Sequence, residues 1–308
     1  MKKILVIFLF PLFLILISYA LVHSFTREEL IRFQYNQHDE KIKVFREETG
    51  ETEELYFEDY IVGVLAGEMP ANFELEALKA QAVAARSYAL KKMLSENQTE
   101  YDVIDTVANQ VYQDEEELKE RWGNDYVSNM NKIKTAVLET KGEYIAYNGE
   151  VIEAFFFSTS SGKTENSEEV FTSARPYLKS VDSSWDAEVS PVFQVENDMS
   201  LHDFYTKLGL PYQDSLQIEV VKQTSTGRMK QVKINGTEMN ASDVRQKLNL
   251  KSTYFTMEQV GNNVHIQTKG YGHGVGMSQY GAEGMAREGK TYEEIIKHYY
   301  QGVEIKKL

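Results

Sequence analysis

The chain reads as an α+β protein: mixed helices and antiparallel hairpins build a groove-bearing domain with a smaller α/β portion, preceded by one N-terminal transmembrane helix. Three observations carry this reading. No Gly or Pro interrupts residues 73–95, so a long helix is expected there. Asn148-Gly149 and Asn235-Gly236 stand between apolar-polar alternations, the signal of tight hairpins. A glycine falls at every second residue from Gly270 to Gly276, which disfavours a regular strand and marks close backbone or ligand approach.

In chain order, Lys2 and Lys3 precede an uncharged run from Ile4 to Val22, about long enough to span a bilayer. The flanking lysines put the N-terminus in the cytoplasm and the rest outside. Residues 1–22 are therefore read as a membrane anchor, against the alternative of a signal peptide cleaved near Ser18-Tyr19-Ala20. Residues 23–40 form a stalk and 41–308 the extracytoplasmic domain. There are no cysteines, which excludes disulfides, thiolate metal sites and a cysteine nucleophile. The net charge of −14 is the wrong sign for nucleic acid.

Residues 42–60 alternate around Thr49-Gly50 as a hairpin leading to Asp59, a possible cap for the buried segment Tyr60–Leu65. Glu68 follows, between Gly67 and Met69-Pro70, before the long helix. Asn72 is the expected N-cap of that helix. Leu75, Leu78, Ala82, Ala85 and Ala89 form its apolar stripe, and Lys79, Val83, Arg86 and Leu90 a neighbouring stripe with two cations. Six alanines between 77 and 89 keep it slim. A carboxyl at the end of a buried segment has a raised pKa, making Glu68 a candidate general acid; the alternative is a Glu that caps the helix or pairs with Arg86.

Residues 113–121 start a charged surface helix, Met130–Thr140 is a second amphipathic helix, and residues 143–157 form a hairpin. Ser158–Thr164 (STSSGKT) lacks the leading glycine and following helix of a phosphate loop; a polar loop bonding a hydroxyl-rich ligand, or ordinary turn chemistry, remains. Residues 171–260 make the smaller portion, with strands at Ile218–Val221, Met229–Ile234 and Met257–Gln267 and a short helix after Asn240. In GYGHGVGMSQYGA (270–282), His273 is either a donor to substrate or Glu68 or a structural turn residue, and Ser278 caps the next helix. Scattered histidines argue against a metal site.

GEMPANFELEALKAQAVAARSYAL and GYGHGVGMSQYGA resemble the two signature segments of the stage II sporulation protein D family, which includes amidase enhancers. FFFSTSSGKTEN (155–166) and KSTYFT (251–256) also fit. The resemblance implies a lytic transglycosylase acting on peptidoglycan glycan strands, stripped of stem peptides, during engulfment of the forespore. It implies a single-pass anchor through residues 4–22, an extracytoplasmic site between mother-cell and forespore membranes, and the companion stage II sporulation proteins P and M as partners. It maps the catalytic acid onto Glu68. Lys79, Gln81, Arg86, His273, Ser278, Gln279 and Tyr280 would hold the sugar, and Tyr88, Phe156 and Tyr177 could stack on it or serve only the core. Some relatives hold zinc partly through cysteines near the STSSG-type loop; with no Cys here, neither metal nor cofactor is expected. Two other readings stay open: a non-catalytic glycan-binding activator of an amidase, and an inverting glycosidase using Glu74, Glu76 or Glu283 as a second carboxylate.

Overall fold

The computed structural model describes residues 40–95 and 100–308; the anchor and most of the stalk lie outside them. Among the described residues no helix is long and apolar enough to cross a membrane. Helices and mainly antiparallel sheets mix in an α+β arrangement.

The alanine helix, Leu75–Met93, is the centre of the larger core. Helices Phe57–Glu68, Tyr126–Glu139, Gln279–Arg287 and Tyr292–Tyr299 and the strand Glu143–Tyr147 all pack on it. Burial takes in most of both expected stripes, with every residue from Ala80 through Leu90 buried and Leu75 and Lys79 half-buried, because small side chains let neighbours close on every side. Its start differs from expectation. Asn72 lies in a turn before the helix, the N-cap position is Glu74 without a side-chain cap, and the Glu74 N–H donates to Glu283 Oε2 at 2.6 Å. A distant carboxylate thus does the work that a local cap was expected to do. Asp59 likewise falls inside its helix, which begins at Phe57.

Hairpin Lys41–Arg46/Glu51–Tyr56 turns at Gly50, whose φ is +73°. The Asn148-Gly149 turn, with φ of 51° and 86°, joins Glu143–Tyr147 to Glu150–Val151, the double positive φ that Asn-Gly supplies. Strand Glu304–Lys307 completes this sheet. The charged helix runs Glu115–Trp122 behind a capping box at Asp114 and Glu117, and the amphipathic helix starts four residues before Met130, at Tyr126.

A second apolar cluster spans Leu201 to Ile266, with Phe204, Tyr205, Val232, Val244 and Phe255 buried. Its two sheets are antiparallel, Ile218–Gln223 with Met229–Ile234 and Thr237–Asn240, and Gln194–Ser200 with Asn263–Lys269 and Phe255–Val260. The expected strand 257–267 is thus two strands folded back at Gly261, whose φ is +62°.

Arg86 does not face a groove. It is fully buried, and its Nε and Nη2 donate to the two carboxylate oxygens of Glu58 at 2.9 and 2.8 Å, with Nη1 bound to the Glu143 carbonyl at 3.0 Å. The second stripe's cation is therefore a core strut. Removing one partner of such a pair strands the other charge, so Arg86→Met is expected to cost about 3–5 kcal/mol in urea unfolding. The double change Glu58→Leu/Arg86→Met is expected to cost less than the sum of the single changes.

Candidate active site

Glu68 is the last residue of helix Phe57–Glu68. Pro70 forces Met69 into an extended conformation, φ −121° and ψ 144°, which stops the helix there. Gly63 and Gly67 lie on one face of that helix, and segment 110–113 is pressed against them. A Cβ on Gly63 would come within 2.3 Å of the Tyr112 ring, and one on Gly67 within 2.6 Å of the Val111 carbonyl oxygen. This close approach lets the Val111 N–H donate to Glu68 Oε1 at 2.7 Å.

Glu68 stands in the wall of a cleft of about 790 Å³. Pro70, Tyr88, Asn109, Phe155, Phe156, Phe157, Phe171, Tyr271, Gln279 and Tyr280 are among its neighbours there, with Arg245 and His273 at one end. Among the described residues lining this cleft, Glu68 is the sole carboxylate. Burial raises its pKa, opposed by the Val111 N–H and the Gln279 carboxamide, and no cation contributes. Such a group holds its proton to higher pH than an exposed glutamate.

The opposite wall is made by two interlocked loops. The Thr159 N–H donates to the Tyr271 carbonyl and the Tyr271 N–H to the Thr159 carbonyl, at 3.0 and 2.8 Å. Met277–Ser278 pairs in parallel with Phe156–Phe157. The alternating glycines permit this contact. Gly276, at φ +83°, would place a Cβ 2.0 Å from the Phe155 carbonyl oxygen, and Gly274, at φ +87°, one 2.8 Å from the Arg228 guanidinium.

Beneath the loops lies Asp186, fully buried. Its Oδ1 accepts from the Ser160 N–H at 2.9 Å and the Ser278 hydroxyl at 2.5 Å. Its Oδ2 accepts from the Ser160 and Ser183 hydroxyls at 2.9 and 2.6 Å. Ser160 therefore serves the scaffold. So does Ser278, which is buried and also caps helix Gln279–Arg287 by accepting from the Gly281 N–H.

His273 borders the cleft as a fixed neutral ring. Its Nδ1 accepts from the Val275 N–H at 3.1 Å, and Phe155, Phe157 and Phe171 surround it at centroid distances of 5.9, 5.7 and 5.7 Å. Burial, then Arg228 and Arg245, lower its pKa to about 4.

Of the residues expected to hold a ligand, Gln279, Tyr280 and His273 meet at the cleft with Glu68, as do the aromatics Tyr88 and Phe156. Lys79, Gln81, Arg86 and Ser278 do not. Lys79 bonds Glu76 and Glu139 at 2.8 and 2.6 Å, and Gln81 is fully buried in the alanine helix. Tyr177 packs at a tilt against Tyr147, and its hydroxyl accepts from the Glu153 N–H. Asn109, Phe155, Phe171, Tyr271 and Arg245 were not anticipated. Asn109, whose Nδ2 donates to the Tyr88 hydroxyl at 3.1 Å, had no distinguishing neighbours in sequence. None of the second carboxylates considered for an inverting glycosidase, Glu74, Glu76 and Glu283, lines this cleft; Glu283 accepts from the Glu74 N–H and pairs with Arg287, and Glu76 pairs with Lys79 and accepts from the Tyr292 N–H. Among the described residues no cluster of three or more acidic or histidine side chains could hold a metal, and the hydroxyls of Ser158, Thr159 and Ser160 are not zinc donors.

Residues 45–147 match a family model described as stage II sporulation protein. The chain is 44% identical over 269 residues to the stage II sporulation protein D of Bacillus subtilis (strain 168), covering 86% of this chain and 78% of that protein. It is equally similar to the protein of that name from Bacillus amyloliquefaciens, at 44% over 270 residues. The amidase enhancer of Bacillus subtilis (strain 168) is 34% identical over 298 residues, covering 79% of this chain and 40% of that protein.

The Gln279 carboxamide donor stands beside Glu68 and favours its ionised form, although its Nε2 makes no hydrogen bond among the described residues. Gln279→Leu removes that donor, so the Glu68 pKa is expected to rise further, read from the carboxyl ¹³C shift during a pH titration. An unchanged or lowered pKa would show that Gln279 does not act on Glu68.

Proposed function

Because the chain belongs to the stage II sporulation protein D family, we propose that it is a lytic transglycosylase of peptidoglycan. It cleaves glycan strands between N-acetylmuramic acid and N-acetylglucosamine during engulfment in sporulation and leaves 1,6-anhydromuramyl ends. The observation that carries this reading is that Glu68, with its raised pKa, is the single carboxylate among the described residues lining the cleft. Hydrolytic glycosidases need two carboxyl groups; intramolecular transfer needs one.

In the first step the protonated Glu68 donates to the glycosidic oxygen as the bond from that oxygen to C1 of the muramyl sugar breaks. In the second, the Glu68 carboxylate accepts the proton of the same sugar's 6-hydroxyl as O6 bonds C1, which closes the anhydro ring and restores the acid. No water is consumed. The Val111 N–H steadies the carboxylate between steps, with the Gln279 carboxamide beside it. Tyr88, Phe155, Phe156, Tyr271 and Tyr280 supply apolar ring faces for sugar stacking.

Residues 4–22 would tether the site to the membrane, with the cleft between the mother-cell and forespore membranes and stage II sporulation proteins P and M as partners. The amidase enhancer among the relatives favours one second reading, in which the same cleft binds glycan without cleaving it and activates an amidase.

Incubation of the full-length protein with peptide-stripped glycan strands is expected to release anhydromuramyl ends, detected by mass spectrometry. Glu68→Gln is expected to lower their formation about a hundredfold to ten-thousandfold. Reducing ends that have gained water would make the enzyme a hydrolase. Intact strands that remain bound to both proteins would favour the activator.

A further inference from the structure

A second cleft, of about 550 Å³, adjoins the first and shares His273 and Arg245 with it. Its charged lining is Arg228, Lys230 and Arg245 against one carboxylate, Glu169. That carboxylate is already engaged: it accepts from the Ser225 N–H and hydroxyl at 2.8 and 2.6 Å and from Asn166 Nδ2 at 3.2 Å.

Arg228 is 1% exposed. Its Nη1 donates to the Gly272 carbonyl at 2.8 Å, but Nε and Nη2 have no hydrogen-bond acceptor, although Nε stands 3.4 Å from Glu165 Oε1. Glu165 neutralises it incompletely, because burial raises the Glu165 pKa to about 7 in spite of the arginine. Buried guanidinium donors without acceptors are costly; these two are closed over by Gly274, whose Cβ would fall 2.8 Å from Nη2, so an anion in the cleft would meet Arg228 through its charge. The chain as a whole carries −14, so such a concentration of cation does not follow from composition.

We infer that the second cleft is a subsite for a carboxylate carried by the muramyl residues of a glycan lying in the first. This rests on the glycan reading above. Two sources share the chemistry: the lactyl carboxylate, which is free only where the stem peptide has been removed, and the terminal carboxylate of an intact stem peptide. Entry beside His273 brings such a group toward Arg228, with Lys230 and Arg245 on the partly exposed rim.

The test measures the affinity of full-length Glu68→Gln protein, in detergent, for four probes: stripped strands, the same strands with lactyl carboxylates amidated, strands retaining stem peptides, and neutral chitooligosaccharide. Arg228 is too buried for a clean probe, so Lys230→Gln and Arg245→Gln are introduced separately. Stripped strands are expected to bind about tenfold tighter than amidated ones, the worth of one charge-assisted hydrogen bond, and either variant is expected to shrink that ratio. Tighter binding of peptide-bearing strands, with the same loss in the variants, would assign the site to the peptide's carboxylate. Equal affinity for stripped and amidated strands, or a ratio untouched by both variants, overturns the subsite while leaving the glycan reading standing. No affinity for any of the four overturns both.

Discussion

The cleft depends on the buried carboxylate of Asp186. Two segments far from it in sequence reach it, the loop at Ser160 and the start of the helix at Ser278, and its own turn adds Ser183. A buried carboxylate is costly unless its lone pairs are filled, and here three hydroxyls and one N–H fill them. Burial raises the Asp186 pKa and these bonds oppose that rise. Because Ser278 is also the N-cap of the helix that begins with Gln279, the network fixes the position of Gln279 and, through it, the carboxamide beside Glu68.

Two buried acids therefore serve different ends through the donors each receives. Asp186 receives four and is closed off from solvent. Glu68 receives the Val111 N–H, has Gln279 beside it, and is left open to the cleft. The Val111 donor reaches it only because Gly63 and Gly67 leave the helix face bare. A side chain at either position would push segment 110–113 outward, removing a donor that holds the Glu68 pKa down and admitting water that would lower it, two effects of opposite sign.

Much of this arrangement is legible in the residues. Asn-Gly turns, the uninterrupted alanine helix and Glu68 at the end of an apolar segment are local signals, and local chemistry decides them. The alternating glycines announced a close approach, and the approaching backbone is Phe155 to Ser160. What sequence could not supply was the partner of each polar side chain. Arg86 and Lys79 share a helical stripe, yet Glu58, 28 residues earlier, and Glu139, from another helix, take their charges. Asn72 has the chemistry of a cap, but Glu283 arrives from 209 residues away to bond the helix start. Arg245 comes from the helix Ala241–Leu248 of the smaller portion, whose docking no periodicity encodes.

That docking also bears on how an acid and a group of arginines can share one wall. A guanidinium against Glu68 would lower its pKa and favour the ionised carboxylate. Arg245 lines the same cleft, yet neither it nor Arg228 contributes to the Glu68 shift. Their fields fall instead on His273, which together with its burial they hold at a pKa of about 4. The ring, packed among Phe155, Phe157 and Phe171, is thus neutral at pH 7 and brings no charge of its own toward the carboxyl. A histidinium in its place would have favoured the ionised carboxylate. An uncharged spacer, set in aromatic surroundings and held by the glycine loop, keeps the Glu68 carboxyl and the arginine-lined cleft electrostatically separate.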